Sequence, residues 1–372
     1  MITLDVSPAV NGKAGLGRYA AALAEALAAE HTDSMGLFAN FAGATSALSL
    51  PDLPLRRVSL GYKPWRMAVL MGHVMGLGFD DLIRGSEVFH ASEHLLLPLR
   101  HTPSVLTVHD VIYALYPQHH KKLNTWYLNF AMPMYVRRAD HIIAISQSTK
   151  RDVMRLYHVP EEKISVIYEA AAPHFQPQTA EQIERVRRKF SLPEKYLLAV
   201  GTLEPRKNLP RLVQALATLR RDDPALRLVV VGSKGWLYDE FFRAIEAFDQ
   251  REAVIVPGFV PDADLPAMYA GAAACVMASL YEGFGLPVLE AMACGTPVAC
   301  SDTSSLGEIA GGAALTFDPE SVEEITAALR RLLADSGLRD DLRQRGLAQA
   351  GTFSWGRAAA ETWAVYQRIR RS

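Results

Sequence analysis

The stretch "YLLAVGTLEPRKNLPRLVQALATLRRDDPALRLVVVGS", Tyr196–Ser233, contains one full period of an alternating pattern. "YLLAVGT" and "LRLVVVGS" are short, continuous apolar runs, the signature of strands buried on both faces. Between them "LEPRKNLPRLVQAL" reads as a loop leading into an amphipathic helix. A strand, a helix and a second buried strand form the unit from which parallel sheets are built. The same reading extends in both directions. "ITLDVS", "VFHAS", "SVLTVHD" and "HIIAIS" are the expected strands of the first half, and "AVIVPGFV", "ACVMAS", "TPVACSDT" and "AALTFD" continue the second.

The pattern occurs twice, which predicts an α/β chain with two doubly wound Rossmann-like domains facing across a cleft. A length of 372 residues suits two domains better than one. The segment from Ala171 to Pro193 has prolines, charges and no strand, and it is read as a hinge without strand or helix continuity. The expected domains are therefore 1–170 and 171–353, with the helix at 354–372 crossing back to the first.

Lys and Arg number 39 against 40 Asp and Glu, and no basic stretch is interleaved with aromatics, so nucleic acid is not an expected partner. Cys275, Cys294 and Cys300 lack metal-ligand spacing and read as small buried residues of a reducing compartment. "MITLDVSPAV" reads as a strand and loop rather than a signal peptide. The apolar run "RMAVLMGHVMGLGF" from Arg66 is too short to span a bilayer. The expectation is a soluble cytoplasmic protein, with a peripheral hold on the inner membrane face left open.

In doubly wound sheets, ligands bind at the carboxyl ends of strands. Four loops there attract notice. Gly15 and Gly17 precede a helix expected to begin near Arg18; they suit either a tight turn or the close approach of an anion. Arg206 and Lys207 sit just ahead of a helix, where two cations suit a diphosphate, although a solvated charged loop would look the same. In "YEGFGLPVLEAMACGTPVACSD", Glu282 lies in an exposed Gly-rich turn and Glu290 lies inside a helix starting near Pro287. Both carboxylates could serve the helix dipole, but an acid beside backbone N–H groups also suits sugar hydroxyls. His109, paired with Asp110 at a strand end, is either a core histidine or an acid–base group.

Together, "GTLEPRKNLPRLVQAL", "TVHDVIYALYP" and the run from Gly258 to Leu315 around "EGFGLPVLE" resemble family 4 of the retaining glycosyltransferases. The resemblance covers the second half almost continuously and the first in patches. It implies the GT-B fold and a nucleotide-sugar donor, GDP- or UDP-hexose, used without a metal. It implies that Glu282 binds hydroxyls of the transferred sugar and Glu290 the ribose. It further implies that Arg206 and Lys207 neutralise the diphosphate, that Gly15 and Gly17 face it, and that His109 lies beside the donor sugar. Gly283, Phe284, Gly285 and Leu286 match the turn whose N–H groups contact sugar and phosphate. Phe259 and Val260 match a backbone edge at the nucleobase. Met277 and Ala278 stand where many members have a proline before the serine. The implied reaction is metal-independent retaining transfer of a hexose, mannose or glucose, to a glycan, lipid-linked or small-molecule hydroxyl, as in polysaccharide biosynthesis. A nucleotide-sugar epimerase of the same fold and a non-catalytic two-domain sugar-binding protein are the rival readings. The acceptor and the oligomeric state are open.

Overall fold

The computed structural model describes residues 1–43 and 50–370. The chain forms two compact units, each built on one parallel sheet. Unit 1 gathers the described residues of Met1–Leu115, Lys122–Glu169 and Ser354–Ser372; unit 2 gathers Tyr116–Lys121 and Ala170–Phe353.

The sheet of unit 1 contains β1 (Ile2–Asp5), β2 (Met35–Asn40), β3 (Leu55–Val58), β4 (Val88–Ala91), β5 (Ser104–Val108), β6 (His141–Ala144) and β7 (Ile164–Val166). Their order is β3-β2-β1-β4-β5-β6-β7, with every pairing parallel. The sheet of unit 2 contains β8 (Tyr196–Val200), β9 (Arg227–Val231), β10 (Val254–Gly258), β11 (Ala274–Met277), β12 (Val298–Ser301) and β13 (Leu315–Phe317). Its order is β10-β9-β8-β11-β12-β13, again all parallel. Each order reverses direction once, between β1 and β4 and between β8 and β11. Those are the topological switch points at which loops diverge and leave a crevice.

The ten expected strands are present, and three more accompany them among the described residues. β3 and β7 are edge strands; β3 is half exposed and carries Arg56 and Arg57, so it shows no apolar run. β2, "MGLFAN", is fully buried but has only Phe38 as a strong strand former. The segment at 171–193 also departs from expectation: Ala180–Lys189 is a helix. Thr179 and Gln182 form a reciprocal capping box, a signal present in "TAEQ". This helix is tied into unit 2, where Lys189 Nζ lies 2.6 Å from Asp264.

The Trp355–Arg370 helix belongs to unit 1. The buried Tyr366 hydroxyl lies 2.6 Å from His90 Nδ1, whose Nε2 lies 2.7 Å from Thr107 Oγ1. Trp363 stacks on His31 at 3.7 Å. Residues 371–372, part of the helix expected to reach 372, lie outside the described residues. Residues 116–121, inside the stretch expected for the first domain, group with unit 2, where Trp236 Nε1 donates to His119 O at 2.7 Å. All three cysteines are free, buried thiols, and burial pushes those of Cys294 and Cys300 up to about 12. Among the described residues, no helix is long and apolar enough to cross a membrane.

Candidate active site

In unit 2 the loops leaving β8 and β11 meet at the switch point. Asn208 adopts a left-handed conformation (φ 56°) ahead of the Leu209–Leu219 helix. Its amide donates to Ala278 O at 3.0 Å and Pro319 O at 2.7 Å, which pins the first loop against the end of β11. The preceding turn, Pro205–Lys207, presents both cations to the second loop. Arg206 donates to Tyr281 O at 2.9 Å and pairs with Glu204 and Glu282. Lys207 Nζ donates to Glu282 Oε1 at 2.7 Å.

Glu282 is not exposed, as its glycine-rich surroundings suggested; it is 7 % accessible. The loop bends inward because its backbone is fastened to the "TSS" turn. Glu282 N–H donates to Ser304 Oγ at 2.9 Å, and Ser305 Oγ donates to the carbonyls of Glu282 and Phe284 at 2.9 and 2.7 Å. Burial alone would keep this carboxyl protonated, but the adjacent Arg206 and Lys207 cations outweigh it and hold the pKa down at about 2. The carboxylate and two cations therefore form a compact, largely buried charged cluster.

Gly285 is required twice. Its φ is 113°, and a Cβ there would lie 2.7 Å from Leu306 Cδ2. It caps the Leu286–Ala293 helix, so Gly283, Phe284, Gly285 and Leu286 lead into a first turn whose N–H groups have no acceptor within the helix. Glu290 lies inside that helix, 3 % accessible, and its Oε2 accepts from Tyr269 at 2.8 Å. Gly258 (φ 80°) ends β10 after a register shift, leaving Phe259 79 % exposed and Val260 buried.

In unit 1 the loops at the β1/β4 switch point hold a second ion pair, between a half-buried cation and a buried carboxylate. Lys13 Nζ lies 2.5 Å from Glu93 Oε2 and 3.9 Å from the centre of the Tyr62 ring. Asp5 accepts from the N–H and hydroxyl of Ser7 at 2.8 and 2.5 Å; burial and then nearby Glu93 push its carboxyl up to about 7. The helix expected near Arg18 begins earlier, as Ala14–His31, so Gly15 and Gly17 lie within its first turn. A Cβ at Gly15 would meet nothing within 4 Å. Neither backbone strain nor internal packing therefore calls for glycine there.

His109 follows β5 and is 6 % accessible. Nδ1 lies 3.2 Å from Glu169 Oε1, and Nε2 lies 2.8 Å from Ser92 O. Both neighbours are acceptors, a pairing that an imidazolium satisfies by donating twice. Burial favours the neutral ring, but the hydrogen bond and charge of Glu169, with the Ser92 carbonyl and Asp110, outweigh it and raise the pKa. Asp110 itself accepts from Ile112 N–H at 3.1 Å. The His109 carbonyl accepts from Thr149 Oγ1 at 3.2 Å.

The structure thus brings Arg206, Lys207 and Glu282 together, beside the turn from Gly283 to Leu286. Glu290, Phe259 and Val260 stand on neighbouring elements of the same unit. Glu204, Ser304, Ser305, Lys13, Glu93 and Glu169 were missed by sequence reasoning. Glu204 and the two serines follow strands in stretches already singled out, so their positions were a usable signal. Glu93 and Glu169 lie 16 and 60 residues from His109 and had none.

A family described as "Glycosyltransferase Family 4" matches residues 14–173, and one described as "Glycosyl transferases group 1" matches residues 181–349. O-antigen chain mannosyltransferase B of Escherichia coli is 34 % identical over 284 residues, 76 % of this chain and 74 % of that protein. Sucrose-phosphate synthase from Thermosynechococcus elongatus superposes with a TM-score of 0.78 at 20 % identity, covering 99 % of this chain and 98 % of the other. HepE from Anabaena, solved in complex with UDP and glucose, superposes with a TM-score of 0.73 at 17 % identity, covering 98 % and 99 %. These structural likenesses establish the GT-B fold. The second match takes in both switch-point loops of unit 2 and the first takes in Gly15, Gly17 and the loop after β4, and with the extended identity to the mannosyltransferase they show that the chain belongs to the group 1, family 4 glycosyltransferases.

Proposed function

We propose that this glycosyltransferase moves a hexose, with mannose favoured, from a nucleotide-sugar donor to a hydroxyl of a glycan, lipid-linked or small-molecule acceptor, with retention at the anomeric carbon. The observation that carries the reading is the cluster of Arg206, Lys207 and Glu282 at the β8/β11 switch point. Two cations held against one carboxylate can be re-partnered by a diphosphate without building a new site. Donor arrival would shift them onto phosphate oxygens, and Glu282 would then accept hydrogen bonds from hydroxyls of the transferred sugar. Glu290 is assigned to the ribose, Phe259 and Val260 to the nucleobase, and the turn from Gly283 to Leu286 to sugar and phosphate oxygens. To unit 1 we assign the acceptor, with the open face of Gly15 and neighbouring Gly17 approached by phosphate. His109 acts there as a held imidazolium.

In the reaction, the bond from the anomeric carbon to the diphosphate oxygen breaks while the bond to the acceptor oxygen forms on the same face. The acceptor's proton passes to the departing diphosphate. Arg206 and Lys207 stabilise the negative charge that grows on that leaving group, which is where electrostatic catalysis is most effective. Those cations can supply the neutralisation that a divalent metal supplies in other transferases, so we propose metal independence. Mannose is favoured because the mannosyltransferase relative is far more similar in sequence than the structural neighbour solved with glucose.

The test is incubation with GDP-mannose and, separately, UDP-glucose, with and without an oligomannose acceptor, while following nucleotide diphosphate release and the anomeric configuration of the product. Acceptor-dependent release with an α-linked product supports the proposal. Conversion of the donor sugar without release would identify an epimerase, and binding without turnover a sugar-binding protein.

A further inference from the structure

Unit 1 carries an apolar face that neither its core nor the chemistry above uses. It is built by two helices, Tyr62–Met75 and Lys122–Arg138. They lie side by side and run the same way. Arg66 donates to Asn124 at 2.7 Å and stacks over Tyr127 at 3.7 Å near one end. Near the other, His73 meets Tyr135 at 5.0 Å and Arg138 at 2.8 Å.

This pairing determines which way the outer side chains point. On the first helix Trp65, Val69 and His73 are buried, and on the second Tyr127, Leu128, Ala131 and Tyr135. At 100° per residue, Met67, Met71 and Val74 then lie on the side of the first helix away from the core. The same count places Leu123, Trp126 and Phe130 on the matching side of the second. These six side chains are 45–72 % exposed. Trp126 and Phe130 stack on each other at 6.2 Å in full view of solvent. An apolar stripe that spans two adjacent helices is unusual on a soluble surface and marks a docking face.

The charge of the two helices identifies the occupant. Neither contains a single Asp or Glu, whereas Lys63, Arg66, Lys122, Arg137 and Arg138 are spread along them. Lys63 lies one turn before Met67, Lys122 one turn before Trp126, and Arg137 two turns after Phe130, so cations border the stripe on both helices. Lys63, Lys122 and Arg137 are exposed. Apolar and aromatic side chains flanked by cations, with no acid, complement a bilayer surface bearing negative headgroups. A second copy of this chain would bring the same cations together and is disfavoured. We propose that this face of unit 1 holds the protein on an anionic membrane surface, with Trp126, Phe130 and the methionines entering the headgroup region.

The test is co-sedimentation of the intact chain with vesicles of phosphatidylcholine alone and of phosphatidylcholine mixed with phosphatidylglycerol. Retention is expected on the mixed vesicles, with at least a tenfold loss when salt is raised from about 0.1 M to about 1 M. The double variant Trp126→Ser/Phe130→Ser should lose at least tenfold in retention with an unchanged thermal midpoint, because both side chains already face water. Lys63→Glu/Lys122→Glu should lose a comparable amount. Equal retention of the wild type and both variants, or no retention on anionic vesicles, would overturn the proposal. So would concentration-dependent dimerisation in free solution that the Trp126/Phe130 variant abolishes, since that would make a second copy the occupant. Donor turnover in solution tests the transfer reaction separately, so the two proposals can fail independently.

Discussion

Lys207 and Glu282 are 75 residues apart in the chain, and their side chains meet at 2.7 Å across the point where the strand order of unit 2 reverses. With Arg206 on the other carboxylate oxygen, each cation is neutralised at the position proposed to receive a diphosphate. The pair is therefore a structural tie between two loops and, on the proposed function, a competitor for the donor.

Separating those roles requires a substitution that keeps shape. Glu282→Gln should reduce transfer by about a hundredfold, yet nucleoside diphosphate should bind as tightly as before or more tightly, because the competing carboxylate is gone. The folded-state pKa is depressed from 4.5 to about 2, so the charge contribution to stability is present above 4.5 and is lost as pH falls through about 2. The stability gap between wild type and Glu282→Gln should therefore narrow across that window. Calorimetric titration and acid unfolding measure the two effects; weakened diphosphate binding would show that Glu282 does not compete for the cations.

Replacing Arg206 and Lys207 together by Ala should weaken nucleoside diphosphate binding by about 3 kcal/mol, the scale of two charge-assisted contacts. The nucleoside alone should be nearly unaffected. Equal losses for the two ligands, measured by calorimetry, would remove the phosphate assignment. Such variants also strand Glu282 without its cations, so a urea titration should accompany the binding data.

Two glycines should respond oppositely to alanine. Gly285→Ala must accommodate φ 113° and a contact of 2.7 Å with Leu306, and should lose about 1–3 kcal/mol of stability. Gly15→Ala enters open space within the first turn of a helix and should leave the thermal midpoint unchanged or slightly raised. If phosphate approaches Gly15, that same variant should bind nucleoside diphosphate about tenfold more weakly, a steric cost of roughly 1.4 kcal/mol.

The His109–Glu169 pair should make stability depend on pH in the direction opposite to Glu282. Its imidazolium is favoured in the folded chain, so its contribution is complete below the ordinary value of 6.5 and is lost as pH rises through the raised folded value. Glu169→Gln should consequently destabilise the protein more in mildly acidic than in alkaline buffer. A difference that grows with pH in denaturant titrations would contradict the double-donor arrangement.

Local physics made much of this legible in advance. Buried strands such as "YLLAVGT" and "ACVMAS" declare themselves because every side chain along them must be apolar. A loop after such a strand is a site candidate by topology, which is how Arg206, Lys207 and Glu282 came to notice. Weak edges did not announce themselves: β3 is four residues with two adjacent arginines at its centre, and β7 is three residues long. The early start of the Ala14–His31 helix was hidden because its first turn contains two glycines, poor helix formers that nonetheless continue the helix once Tyr19 and Leu23 are buried.

The sequence by itself determined two alternating α/β patterns, the positions of the loops at strand ends and the residue types available there. It could not determine which of those charges neutralise one another. That Glu282 is buried against Arg206 and Lys207, rather than exposed in its glycine-rich turn, follows from Ser304 and Ser305, in the loop leaving β12, gripping its backbone. That His109 favours its proton follows from Glu169, a neighbour 60 positions away. Pairwise electrostatics depends on separation in space and on exclusion of water, and only packing of the sheets and their crossover helices supplies either.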